Sequence, residues 1–173
     1  VPSGNFGNIC AGLIAMKMGL NVNNFIAATN INDTIPRYFK TGEYTPKKTI
    51  RTISNAMDVS DPNNFPRIEH VFDNNFQALK NKIRAEKVDE EETKNQIKKT
   101  YCKSKYILDP HGAVGLVGLS RYNLKNEIGI FLETAHPIKF RDSINEILDV
   151  NIDDPLKLTN ECGSHKIALK NNY

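Results

Sequence analysis

The chain has 173 residues, with 23 Lys plus Arg against 20 Asp plus Glu, 39% hydrophobic residues, ten Gly, eight Pro and no Trp. A chain of this length buries about 70% of the surface its unfolded form exposes, so one domain can hold itself together with no disulfide or metal scaffold. The composition excludes wholesale disorder, collagen, coiled coil and membrane-spanning classes, and a net charge of +3 is too small to argue for a nucleic acid or a membrane surface as partner.

The chain opens on Val1-Pro2-Ser3-Gly4, a glycine turn placed where a strand should be ending. This opening reads as a piece of something longer. Residues 9–18 are apolar on nearly every face and are followed by Gly19, which predicts a buried helix with a glycine C-cap. After Asn23-Asn24, the short apolar run of residues 25–29 predicts a covered parallel strand. Residues 30–66 carry Pro36, Pro46, Pro62 and Pro66 among many Asn, Asp and Thr, which predicts loops with short helical turns.

Ile68, Val71, Phe72, Phe76 and Leu79 recur at helical spacing, so residues 68–87 are expected to form one helix. A second follows over residues 91–103. Its acids, Asp89-Glu90-Glu91-Glu92, precede Lys94, Lys98, Lys99 and Lys103, the order a helix macrodipole favours in a solvated helix. Tyr106-Ile107-Leu108 reads as a strand, and residues 113–122 as a helix rich in small residues. Residues 128–132 read as a buried strand, and residues 138–148 as a helix with Pro137 near its start. Residues 149–173 have weak periodicity and are taken as a tail that packs on or near residues 1–148. The alternation favours an open α/β sheet, whose ligands sit at the carboxyl ends of the strands.

Three widely spaced cysteines, Cys10, Cys102 and Cys162, with no secretory signal, place the chain in reducing cytoplasm. Cys162-Gly-Ser-His165 resembles half of a metal site. No second close pair completes it, so no metal is expected.

Gly4-Asn5-Phe6-Gly7-Asn8 joins a strand end to a buried helix, so its backbone amides converge at the positive end of that helix. The segment is either a phosphate cradle or a plain strand-to-helix turn; no Walker pattern or full G-x-G-x-x-G accompanies it. Asn32, Asp33, Thr34 and Arg37 lie in a polar loop at another strand end. Arg37 is placed to clamp a second anion, while Asp33 or Thr34 with Pro36 equally marks a helix start, and the two readings are compatible. Thr134 is either a hydroxyl entering the same crevice or a strand-ending Thr. His111 and His136 are acid/base candidates by type or satisfied structural histidines.

The motifs taken together are more specific. Val1-Pro-Ser-Gly-Asn-Phe-Gly-Asn8, Ala27-Ala28-Thr29-Asn30-x-Asn32-Asp33-Thr34-x-Pro36-Arg37, Thr41-Gly42-Glu43-Tyr44, Ile53-Ser54-Asn55-Ala56-Met57-Asp58-Val59, Asp109-Pro110-His111-x-Ala113-Val114-Gly115 and Glu133-Thr134-Ala135-His136-Pro137-x-Lys139-Phe140 occur in that order. Residues 1–148 resemble the carboxy-terminal part of the threonine synthase family. The resemblance implies a three-layer, mostly parallel sheet, part of the large domain of the tryptophan synthase β-like fold. It also implies pyridoxal 5'-phosphate as cofactor, and conversion of O-phospho-L-homoserine and water to L-threonine and phosphate.

In such an enzyme Gly4, Asn5, Phe6, Gly7 and Asn8 would hold the cofactor phosphate. Thr134 would face the pyridine nitrogen, a neutral group that tempers the electron sink. Asn32, Asp33, Thr34 and Arg37 would line the substrate side. The family's Schiff-base lysine lies in an amino-terminal motif without counterpart in this chain, so no catalytic residue is assigned here and the missing amino-terminal part is the expected partner. Gly112 stands where the family often has Thr. A threonine synthase-like phospho-lyase and a non-catalytic anion-binding module are the competing readings.

Overall fold

The computed structural model describes residues 1–122, 124 and 126–150. Cys162, His165 and nearly all of the expected tail lie outside the described residues.

Strand β1 (Phe25–Thr29) pairs in parallel with β2 (Ile83–Lys87), in register from Phe25 opposite Ile83 to Thr29 opposite Lys87. On the other side of β1, Pro2 forms a parallel bridge with Ala28. The Ser3 amide donates to the Ala28 carbonyl at 2.8 Å, and the Ala28 amide to the Val1 carbonyl at 3.0 Å. β1 is therefore flanked on both edges, as its uniformly small and apolar sequence requires.

Period-two alternation along β1 sends its side chains to two helical layers. Phe25 and Ala27 join a core with Ile9, Cys10 and Leu13 of α1 (Gly7–Lys17) and Phe65 and Ile68 of α3 (Phe65–Val71). Ala28 joins Val114 and Val117 of α6 (Pro110–Ser120) on the opposite face. A Cβ on Gly118 would lie 2.8 Å from the Ala28 Cβ, so α6 approaches the strand as closely as it does because residue 118 has no side chain. The three-layer α/β arrangement expected from sequence is present around this strand.

Between the strands run α2 (Thr34–Thr41), a 3-10 turn (Asn55–Met57), α3 and α4 (Phe76–Lys82). Beyond β2 come α5 (Glu90–Ser104), α6, a 3-10 turn (Pro137–Phe140) and α7 (Arg141–Leu148). α5 starts on a reciprocal cap: the Glu92 amide donates to Asp89 Oδ1 at 2.8 Å and the Asp89 amide to Glu92 Oε2 at 3.0 Å.

Four sequence expectations need correction. The single helix over residues 68–87 is two helices and a strand. Asp73 and Asn74 take left-handed backbone (φ 53° and 58°), which breaks the helix, and the Asn75 side chain caps the next one. Residues 83–87 then extend because β1 offers them a ladder, overriding the helical preference of Arg, Ala, Glu and Lys. Residues 106–108 and 128–132 are not strands. Ile107 and Leu108 are buried, but no neighbouring strand among the described residues pairs with them. Ile128 and Ile130 are 92% and 74% exposed, so the buried environment expected for that run is also absent. Lastly, α1 is covered on one face only: Ile9, Cys10 and Leu13 are buried, whereas Ile14 is 46% exposed.

Candidate functional site

The bridge of Pro2 to Ala28 delivers the chain to the carboxyl end of β1, where residues 4–8 turn into α1. Phe6 holds the turn open. It has φ 60°, in the left-handed region, and stands at the N-cap position of α1 with no side-chain cap on the helix. Left-handed backbone costs a non-glycine residue about 1–2 kcal/mol. The Phe6 ring is buried and meets Phe65 edge-on with centroids 5.8 Å apart; burying such a ring contributes about 2–3 kcal/mol, enough to offset that cost. The result is a first helical turn whose amides, on exposed Gly7 and Asn8 and on Ile9, are left for an external acceptor.

Three contacts pin the turn from outside. Gly4 packs on the Asn55–Met57 turn so closely that a Cβ there would sit 2.6 Å from the Met57 Cα. Asn5 Oδ1 accepts the Asn63 amide at 2.7 Å, and the Asn5 carbonyl accepts Asn64 Nδ2 at 2.9 Å.

At the end of β1 a half-buried polar network ties the next loop to the same turn. Asp58 Oδ1 accepts from Asn30 Nδ2 at 2.9 Å and Thr52 Oγ1 at 2.8 Å, while its Oδ2 accepts the Thr52 amide at 3.0 Å. Asn32 Oδ1 accepts the Ile50 amide at 2.8 Å, and its Nδ2 donates to the Ile50 carbonyl at 2.9 Å and to Asn30 Oδ1 at 3.0 Å. Asn32 is thus engaged in shaping the loop.

Arg37 is engaged as well. Its Nε donates to Asp33 Oδ1 at 2.8 Å, Nη1 to Thr45 Oγ1 at 2.9 Å, and Nη2 to the Thr45 carbonyl at 2.9 Å and to Thr34 Oγ1 at 3.4 Å. The guanidinium expected to clamp an anion is here bound by residues of its own chain. It straps residue 45 to the start of α2, because Asp33 one helical turn earlier is the nearer and permanently attached anion. The helix start expected over residues 33–36 is present, with Asp33 at the N-cap position of α2.

On the far side of the Asn55–Met57 turn stands a third cluster. His111 Nε2 accepts the Ala56 amide at 3.2 Å, which leaves the ring proton on Nδ1, 2.7 Å from Asp109 Oδ1. Fully buried Asp109 caps α6, accepting also the His111 amide at 2.8 Å and the Gly112 amide at 3.2 Å. Its fourth partner is the carboxyl of Glu133, which in turn accepts Tyr106 Oη at 2.8 Å. Burial pushes Asp109 up, but the hydrogen bonds from His111 and Glu133 outweigh it and hold the group below its ordinary range. Glu133 is exposed as a residue, but its carboxyl is partly desolvated where it meets Asp109; that desolvation raises it and the bond with Asp109 raises it further, to about 7. His111 is a structural histidine in this setting, and so is His136, whose Nδ1 accepts the Ile138 amide at 3.3 Å.

The candidate residues therefore fall into three groups around one 3-10 turn: Gly4, Asn5, Phe6, Gly7 and Asn8; Asn32, Asp33, Thr34 and Arg37 with the Asp58 network; and Glu133 beside Thr134. Thr134 itself is exposed and lies outside any helix or strand. Sequence reading passed over Asp58, Asn63, Asn64 and Glu133 as site builders. Asp58 lay within the motif over residues 53–59 with no role assigned to it, and the signal for Asn63 and Asn64 was the density of amide and hydroxyl side chains over residues 52–64. No group of three or more His, Cys, Asp or Glu among the described residues is placed to hold a metal ion.

Residues 1–130 match the family model described as pyridoxal-phosphate dependent enzyme. The threonine synthase of Buchnera aphidicola (strain Bp) is 47% identical over 161 residues, covering 93% of this chain and 37% of that protein. The threonine synthase of Escherichia coli (strain K12) is 46% identical over 158 residues, covering 91% and 36%. Among solved structures, threonine synthase from Escherichia coli superposes with a TM-score of 0.83 at 43% identity, over 93% of this chain and 37% of that one. Pyridoxal-phosphate-bound threonine synthase from Brucella melitensis gives 0.82 at 28% identity, over 93% and 40%. The chain spans a little over a third of the length of these relatives.

Proposed function

Because the chain belongs to the pyridoxal-phosphate dependent enzyme family, we propose that it forms the cofactor-phosphate end of a threonine synthase, which converts O-phospho-L-homoserine and water to L-threonine and phosphate in the cytoplasm. Residues 1–148 are then the carboxy-terminal part of the large domain of a tryptophan synthase β-like fold. The Schiff-base lysine belongs to the portion of the relatives that the chain does not span. The observation that carries this reading is the uncapped start of α1, opened by left-handed Phe6 and backed by Gly4.

A phosphate fits that start on physical grounds. The first-turn amides of an eleven-residue helix lack intrahelical acceptors, and the helix dipole favours a negative charge there. Gly7 is exposed with only the end of the Asn64 side chain nearby, 3.5 Å from where a Cβ would lie, so room remains in front of the amides.

When bound, pyridoxal phosphate supplies an electron sink for charge developing on substrate carbons. The residues of this chain bind and orient. Residues 4–8 hold the phosphate through backbone amides, and Thr134 offers a neutral hydroxyl to the pyridine nitrogen. Asn32, Asp33, Thr34 and Arg37 shape the wall on the substrate side by fixing the loop between β1 and α2. Asp58 supports both parts, since Met57 beside it carries Gly4.

Supplying the full-length protein with O-phospho-L-homoserine should yield threonine and phosphate in equal amounts. Phosphate with an oxo acid in place of threonine would favour a phospho-lyase; no turnover and no cofactor binding would leave only an anion-binding module. Gly7→Asp tests the carrying observation directly, because a carboxylate at the first helical position suits α1 but repels a phosphate.

A further inference from the structure

We propose that Glu133 is a positioning residue that works only while it carries a proton: its carboxyl, seated over Gly112 against Asp109, holds the adjacent Thr134 in place for the cofactor ring. The inference rests on the Thr134 reading above.

The argument is one of donors and acceptors. Asp109 receives the His111 amide, His111 Nδ1 and the Gly112 amide, each a fixed donor, because the Ala56 amide occupies Nε2 and fixes the ring tautomer. A carboxyl gathering three donors in full burial is ionised and can only accept. Glu133 meets this carboxylate side chain to side chain, so the hydrogen between them has to come from Glu133. The other oxygen of Glu133, Oε2, already accepts Tyr106 Oη at 2.8 Å. A protonated Glu133 satisfies every partner; an ionised one places two carboxylates side by side.

The seat is made by Gly112. A Cβ there would come within 2.1 Å of Glu133 Oε1, next to Asp109 Oδ2 at 3.1 Å. Residue 112 is thus small where the glutamate carboxyl lodges. The titratable groups that face Glu133 are Asp109 and Tyr106, with His111 behind Asp109. From Glu133 the contacts run through Asp109 and His111 to the Ala56 amide, and its neighbour Met57 carries Gly4. The ring end and the phosphate end of the proposed cofactor site are therefore joined by one line of contacts, polar as far as Ala56 and close backbone packing from there to Gly4.

Although Glu133 is exposed as a residue, its carboxyl over Gly112 is partly desolvated and faces Asp109, and these two causes, in that order, raise it to about 7. A carboxyl whose folded value lies above its unfolded one stabilises fully below the unfolded value and loses that contribution as pH rises through the folded value. The latch is therefore closed at pH 5 and opens as pH passes about 7.

The test is a pH titration of the full-length protein, with and without pyridoxal phosphate, read by NMR of selectively labelled threonine methyl groups. In the wild type the Thr134 methyl signal should move with a midpoint near 7. In Glu133→Gln, whose amide donates to Asp109 at every pH, it should stay fixed between pH 6 and 8. In Gly112→Ala, which expels the carboxyl while suiting the helix, it should sit at the open position throughout that range. Identical titrations in wild type and Glu133→Gln, or no titration in the wild type, overturn the latch. If the latch titrates as expected while the absorbance of bound pyridoxal phosphate ignores both variants, the latch stands and the placement of Thr134 on the cofactor falls.

Discussion

Two loops leave neighbouring strand ends in this fold, and both looked like ligand sites by residue type. Residues 4–8 carry few side-chain hydrogen-bonding groups, yet their backbone amides at the start of α1 stay open because Phe6 buries its ring and turns the chain left-handed. Residues 30–37 are dense in Asn, Asp, Thr and Arg, and nearly all of those groups bind one another or residues 45–60. The contrast separates polar density from binding capacity. Buried polar groups have to be satisfied, so a polar loop that packs against its own protein uses up the donors that made it look promising.

Among changes within the two loops, the largest expected effect breaks the satisfied one. Asp58→Ala removes the acceptor shared by Asn30 and Thr52 and should cost about 3 kcal/mol of stability in urea unfolding, the scale for leaving several part-buried donors unpaired. Gly7→Asp attacks the open loop. Stability should hold or rise by a few tenths of a kcal/mol, while affinity for pyridoxal phosphate, read by fluorescence titration, falls roughly 100-fold, the scale for like charges a few ångströms apart at an effective dielectric near 20.

Arg37→Ala sharpens the contrast. It should lower stability by about 1 kcal/mol through the lost strap to Asp33 and Thr45 and change cofactor affinity by less than about twofold, since guanidinium groups act locally at ordinary salt. A KM for O-phospho-L-homoserine raised tenfold with stability unchanged would show that this arginine leaves its strap to meet substrate. The smallest effect is the pH dependence of Glu133: wild type should lose stability relative to Glu133→Gln as pH rises through about 7, and the two should converge towards pH 5.

Much of this was legible in the chain. The strand at residues 25–29 is a short run of apolar and small residues between polar turns, and its edges came out where expected. α5 announced itself by its acidic first turn and cap. The turn of residues 4–8 into α1 was legible because glycine next to a helix start has a direct geometric meaning. β2 was not: Ile83-Arg84-Ala85-Glu86-Lys87 has helical composition, and only pairing with β1 makes it extended. The run at residues 128–132 failed for the opposite reason, since its sequence suits a buried strand but no ladder reaches it among the described residues. Spacing placed Arg37 in the first turns of a helix after β1 but held no information on the direction of its guanidinium, which Asp33 and Thr45 decide.

The left-handed turn at Phe6 has a consequence for genetics. Openness of the helix start depends on an aromatic ring staying in the core, where Phe65 meets it edge-on. A truncation such as Phe65→Ala, which costs about 3–5 kcal/mol in a packed core, would loosen that anchor and let residue 6 relax towards ordinary helical backbone. Selections for lost cofactor binding should therefore return alleles at Phe65, a residue with no polar atom to offer a phosphate, and second-site suppressors that refill the cavity beside it.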